Sequence, residues 1–362
     1  MMRKSFRTGV NFIINGFKSF KKRTKVIIVF ILVLFIGIMI IPLLGLKAVC
    51  PLINTASTDH LTLNENSYKN IGISDYNRPE ESTYLTFPEW HLVYIPEEYA
   101  NWLESERPSK FPYFSSMLQF WQGYCNVYEI TDKQYGFNMG NHFMIWVIGT
   151  SSTLEYGIKG IYENTIGRFT EWTSKYEKTE EDKFAYEFNK EYADFLYDLP
   201  WYEFSFADKF VELWKENHLF EHNIIRKWER RGILSMELII KTIYGGVIKI
   251  GTRIVYGKAP LEIYASVENL SSEMLAHYPE IEQISENNSE KIIKIPRYGK
   301  FTELLPKLSK EGVNFIDIAG NDEIFLTIIA PVNWNYNLEE GESLFEMKIL
   351  DLQQPEYLWI NH

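Results

Sequence analysis

A run of 21 residues without a charge, VIIVFILVLFIGIMIIPLLGL at 26–46, constrains this chain more than any other feature. At 1.5 Å per residue a helix of that length covers about 31 Å, which matches the hydrocarbon core of a bilayer. Lys18, Lys21, Lys22, Arg23 and Lys25 stand before it, and the positive-inside tendency keeps such a segment in the cytoplasm. A cleavable signal peptide has an apolar region of only about 7–15 residues followed by a small-x-small site. No such site follows here, and Lys47-Ala48-Val49-Cys50 lacks the small residue that precedes a lipoprotein cysteine. The reading is a basic cytoplasmic tail over 1–25, an uncleaved signal anchor over 26–46, and a bulk on the far side of the cell (inner) membrane.

Eight of the 37 Lys and Arg lie in residues 1–25, which hold no Asp or Glu, so the other 337 residues carry 29 positive against 48 negative charges. So acidic a bulk leaves no broad basic surface for phosphates and argues against nucleic acid as a partner. Aromatics make up 16% of the chain, a share that suits a membrane interface or a large aromatic core.

Residues 47–95 are polar and turn-rich and read as an irregular stalk. Pro96-Glu97-Glu98 resembles a helix first turn, and further helices are expected over 111–130, 138–166, 180–198, 206–217 and 224–256. Met117, Phe120, Trp121 and Tyr124 recur at spacings of three and four and form one stripe. The span 96–257 is therefore expected to be a helical, aromatic-rich domain. The segments TFPEWHLVY, GIYENTIGRFTEW, PWYEF and IRKWERR resemble those of a group of bacterial membrane proteins, a likeness over the middle of the chain that transfers no activity and no residue role.

Two segments of this middle, 143–162 and 232–256, are more apolar than their surroundings and share a pattern. Trp146, Glu155, Lys159 and Tyr162 recur as Trp228, Glu237, Lys241 and Tyr244, each 82 residues later. Glu followed four residues later by Lys is the favourable order for an intrahelical ion pair. On that reading both segments are amphipathic helices. On the other, both cross the membrane and the four charges face one another inside it, where each costs roughly 2.5–3.5 kcal/mol unless paired or wet. Arg168, Lys175 and Lys178 after the first segment, and Arg226, Lys227, Arg230 and Arg231 before the second, give the 163–231 loop the basic ends of a cytoplasmic loop.

No Gly-rich phosphate loop, GxSxG, HExxH or CxxC occurs, so the motifs with a known mechanism are missing and no cofactor is expected. His218 and His222 are four apart and form a weak metal candidate without a third ligand. Glu89 in PEWH and Glu203 in PWYEF are carboxylates among aromatics, where burial raises the pKa towards a catalytic range if the two meet. Arg226, Lys227, Arg230 and Arg231 around Trp228 suit lipid headgroups at a cytoplasmic face. A disulfide between Cys50 and Cys125 is permitted outside the cytoplasm, but Cys125 lies in a helical aromatic stretch and reads as a buried free thiol.

The region 258–362 changes character. LEIYASVE alternates like a strand, 270–277 suits a short helix, and IEQIS and KIIKIPR flank a turn as a hairpin. A helix over 300–311 and the strands VNFIDIA and EIFLTIIAP follow. The order β-α-β-β-α-β plus one strand is that of a split βαβ, ferredoxin-like unit, with 323–330 expected to pack on its helices. The fold class is α+β. The leading functional expectation is a membrane-anchored, bacterial-type envelope protein with a non-enzymatic role in binding membrane lipid or an envelope protein. A three-span transporter-like conduit using Glu155, Lys159, Glu237 and Lys241 is the alternative, and an envelope enzyme with buried carboxylates the second.

Overall fold

The computed structural model describes residues 76–220, 222–255, 261–287, 289–322, 324–331, 343–348 and 357–361, with Cys50 and Ile73. The expected cytoplasmic tail over 1–25 and the expected anchor over 26–46 lie outside the described residues. The helices in chain order are α1 (Glu80–Tyr84), α2 (Thr86–Ser105), α3 (Tyr113–Tyr135), α4 (Met139–Tyr162), α5 (Arg168–Thr173), α6 (Glu180–Leu196), α7 (Phe206–Glu216) and α8 (Ile224–Val255). One π turn, Glu163–Gly167, joins α4 to α5. Among the described residues no helix is long and apolar enough to cross a membrane.

Local chemistry explains most boundaries. Thr179 caps α6 by a reciprocal box with Asp182, and Glu180, Glu181 and Asp182 place three acids on the positive end of the helix. Gly136 ends α3 at a φ of 71°, a backbone that a side chain disfavours. The stalk expected to reach residue 95 is corrected: α1 and α2 already run through 80–95, and Pro96 lies within α2. Phe87, His91, Ile95, Tyr99 and Leu103 recur every four residues and are all buried. That stripe holds the helix on the core despite the hydrogen bond the proline removes.

The main core is aromatic. Phe87, Tyr99, Phe111, Tyr113, Phe120, Tyr124 and Trp146 pack between α2, α3 and α4. The disulfide Cys50–Cys125 sits within it at a Cα separation of 4.9 Å. This overturns the reading of Cys125 as a free thiol. The helical aromatic setting of Cys125 is real, but the chain before the helices folds back onto that point of α3.

Beyond α8 the chain forms β1 (Glu262–Glu268), α9 (Ser272–His277), β2 (Glu282–Asn287), β3 (Glu290–Pro296), α10 (Gly299–Lys310) and β4 (Asn314–Ile318). The four strands make one antiparallel sheet in the order β2-β3-β1-β4. Ala265, Val267, Ile293 and Ile295 of the sheet pack with Leu304 and Leu308 of α10. The strand after it departs from expectation. β5 (Thr327–Pro331) leaves this sheet and joins β6 (Phe345–Lys348) and β7 (Tyr357–Asn361) in a second one, order β5-β7-β6. The turn at Ala319 and Gly320, both at positive φ, diverts the chain. Asn321 then donates to the Arg78 carbonyl at 3.1 Å, and Phe325 reaches the rings of Tyr84 and Phe87. The segment thus packs on the aromatic helices and not on α9 and α10.

Candidate functional site

α8 is built inside out. Ile225, Trp228, Met236, Ile239, Ile240, Ile243, Val247 and Ile250 are exposed along one side. Arg226, Lys227, Arg230 and Arg231 are buried, each at 2% exposure or less. The expectation that these four cations face headgroups is therefore corrected: they turn inward because carboxylates of α5, α6 and the π turn are there to meet them.

The contacts are dense. Arg226 binds Asp182 at 2.7 Å and Glu229 at 3.2 Å, and donates to Thr170 Oγ1 at 3.0 Å. Lys227 lies 3.1 Å from both Glu180 and Glu181. Arg230 holds Glu163 at 2.6 Å and Glu229 at 3.0 Å. Arg231 holds Glu181 at 2.6 Å and donates to the carbonyls of Asn217 and His218 at 3.0 and 2.8 Å. Tyr162 and Thr170 donate to Glu229 at 2.7 and 2.8 Å.

Glu163, on the π turn, is the carboxylate of this layer whose pKa burial raises. Burial pushes its carboxyl up against the pull of Arg230, and its Oε2 has no hydrogen-bond partner. Arg226 and Arg230 hold Asp182 and Glu229 below the usual carboxylate range, winning over burial.

A second centre lies between α4 and α8. Lys159 reaches Glu237 at 3.0 Å and Lys241 reaches Glu155 at 2.9 Å. Lys241 also stands 3.4 Å from Glu237, one turn back on its own helix. The four repeated charges thus meet, and the main pairs run between helices, where the Glu-to-Lys spacing predicted pairs within each. The ring of Tyr99 lies 4.6 Å from the Lys159 ammonium and that of Tyr192 4.8 Å from that of Lys241.

The other candidates are scattered. Burial raises the Glu89 carboxyl, while Arg78 and Arg297 pull it down. Glu203, at the end of the turn Trp201–Glu203, is paired with Lys249 at 2.5 Å and Arg253 at 3.2 Å. The two carboxylates serve different cations, so the expected acid–base pair is not assembled. His218 is exposed and bonded to Glu180 at 2.7 Å, and His222 is exposed. Among the described residues no group of three or more His, Cys, Asp or Glu is placed to hold a metal ion.

One buried chain escaped the sequence reading. Trp146 Nε1 donates to the Tyr124 hydroxyl at 2.6 Å, that hydroxyl meets His142 Nδ1 at 2.9 Å, and His142 Nε2 stands 3.7 Å from Glu81. Only the spacing of His142 and Trp146, one helical turn apart, hinted at it. Burial holds the His142 imidazole down at about 4 and that of His91 at about 3. No family model, no curated protein and no solved structure matches the chain.

Proposed function

We propose that the protein is a membrane-anchored component of a bacterial-type cell envelope with a non-enzymatic role, its helical layer lying against membrane lipid. The anchor is the uncharged run at 26–46, the N terminus is cytoplasmic, and the ferredoxin-like unit is the β1–β4 sheet with its two helices. The inverted polarity of α8 carries this reading. Each large apolar side chain contributes roughly 1.5–3 kcal/mol when fully covered. The six from Met236 to Ile250 are 45–65% exposed, so covering the remainder represents about 5–11 kcal/mol, comparable to the whole stability of a typical domain. α4 adds Phe143 and Ile158, both more than half exposed. Faces of this size mark interaction surfaces, and Cys50 brings the chain back into the fold four residues after the anchor ends. Lipid is thus the nearest apolar phase.

The test is photolabelling of the full chain in vesicles with a diazirine-bearing phospholipid. Adducts on Met236, Ile240, Ile243 and Val247 are expected. Lipid adducts confined to 26–46, or capture of an envelope protein at those α8 positions, overturn the reading.

The convergence of Glu155, Lys159, Glu237 and Lys241 is what a second reading, a three-span conduit, requires, although neither α4 nor α8 is apolar enough by hydropathy to cross a membrane. A single cysteine at Lys190, which is exposed on α6, separates the two, since both native cysteines are joined to each other. Labelling of intact cells or spheroplasts by an impermeant thiol reagent supports one span. Labelling only after permeabilisation supports three.

A further inference from the structure

We infer that the apolar segment 26–46 of this same chain packs along the outer groove between α3 and α4, starting at the disulfide. Cys125, Leu118 and Phe114 are spaced seven and eleven residues apart, two and three turns of α3, and so share one face. Cys125 is fully covered, whereas Leu118 and Phe114 on that face are 61% and 58% exposed. The covered end of the stripe is where Cys50 is bonded, and the bare end continues for about 16 Å.

The neighbouring wall is apolar and uncharged. Trp121 on α3 donates to Thr153 on α4 at 2.9 Å, which fixes the two helices side by side. Next to Thr153, Leu154 and Ile161 are exposed, and open space lies over Gly157. A small residue between larger ones lets a second helix approach closely.

Segment 26–46 is the occupant because it has no freedom to be far away. Residue 46 is four residues from Cys50, a reach of at most about 14 Å. As a helix the run measures about 31 Å, and half of it covers Leu118 and Phe114. A tether this short gives an effective concentration of order millimolar, which a free partner does not match. The inference shares its anchor with the reading above, but the two fail separately, because one is read at α3 and the other at α8.

The experiment places a photo-cross-linking phenylalanine analogue at Leu118 in the full chain in membranes, with Phe114 as a second site and Lys190 as the control. The expected result is an adduct between Leu118 and a peptide from 26–49 that survives reduction of the disulfide, with a yield several-fold above the control. Mixing isotopically light and heavy chains must leave the adduct within one chain. Adducts to lipid alone, adducts between light and heavy chains, or no adduct above the Lys190 control at either site overturn the inference.

Discussion

Lys159 on α4 donates to Glu237 on α8 at 3.0 Å, and the partner of Lys241, the residue that repeats Lys159, is Glu155, which Glu237 repeats. Each segment thus gives its Glu to the other's Lys, so a local two-fold relation links two helices 82 residues apart. Glu237 is ion-paired with both lysines, whereas Lys241 keeps Glu155 when Glu237 is lost. Glu237→Gln is therefore expected to cost about 3–5 kcal/mol, as for a buried pair with one partner removed, and Lys159→Met less. Urea unfolding of the purified full chain measures both, and equal losses refute the ranking.

In the buried layer at α5, α6 and α8 the asymmetry runs the other way. Arg230→Met leaves Glu163 and Glu229 facing each other without their shared cation, and a loss of about 3–5 kcal/mol is expected. Burial pushes the Glu163 carboxyl up against the pull of Arg230, so Glu163→Gln, which keeps the shape and removes the charge, is expected to cost less than Arg230→Met. Equal losses in urea unfolding for Glu163→Gln and Arg230→Met refute the ranking.

Acid should weaken the fold well before its carboxylates titrate. His142 is held neutral in the native state, with its pKa lowered from 6.5 to about 4, so its stabilising contribution is complete above about pH 6.5. The contribution falls as pH drops from there towards 4, by about 3 kcal/mol in all at about 1.4 kcal/mol per unit. His91, lowered to about 3 by burial, adds to the same loss. Thermal melting of wild type and His142→Gln between pH 7 and 4 tests this: the variant should show the shallower decline.

Gly149 on α4 is expected to tolerate nothing larger. A Cβ there would stand 2.3 Å from Phe120 Cε1, and the Phe120 ring is fully buried. Gly149→Ala should cost about 1–3 kcal/mol as overpacking. Gly251→Ala, on α8 with open space above it, is the control, and its melting temperature should hold or rise.

Reduction should destabilise the helical layer by several kcal/mol. The Cys50–Cys125 loop of 75 residues corresponds to about 4–5 kcal/mol in the chain-entropy account. Chemical unfolding with and without reductant checks the figure, and Cys125→Ser should match the reduced protein.

The helices of the middle were legible because their apolar residues recur at three and four, and the β1–β4 sheet because its strands alternate between turn signals. What periodicity cannot supply is which side of a helix faces inward. Along α8, Arg226, Arg230 and Glu237 fall on one helical stripe and Ile225, Trp228 and Ile243 on another. A cationic stripe around Trp228 reads from sequence as a headgroup face. The outcome depended on Glu163, Glu181 and Asp182, which are 44 to 67 residues away along the chain. The same limit hid the disulfide, since nothing near Cys125 names Cys50, and it hid the second sheet, in which β7 pairs with β5 and β6 from separate stretches of chain.

The ring of Phe345 on β6 lies 5.3 Å from that of Phe87 on α2, and Met347 completes the same aromatic core. A core that joins the first described helices to one of the last strands cannot close during synthesis. The helices emerge with part of their hydrophobic surface bare and wait for more than two hundred further residues. Contacts so distant in sequence slow folding and leave sticky intermediates. Truncation near the C terminus should therefore damage the helical layer more than the β1–β4 sheet, whose strands all lie within 57 residues of one another.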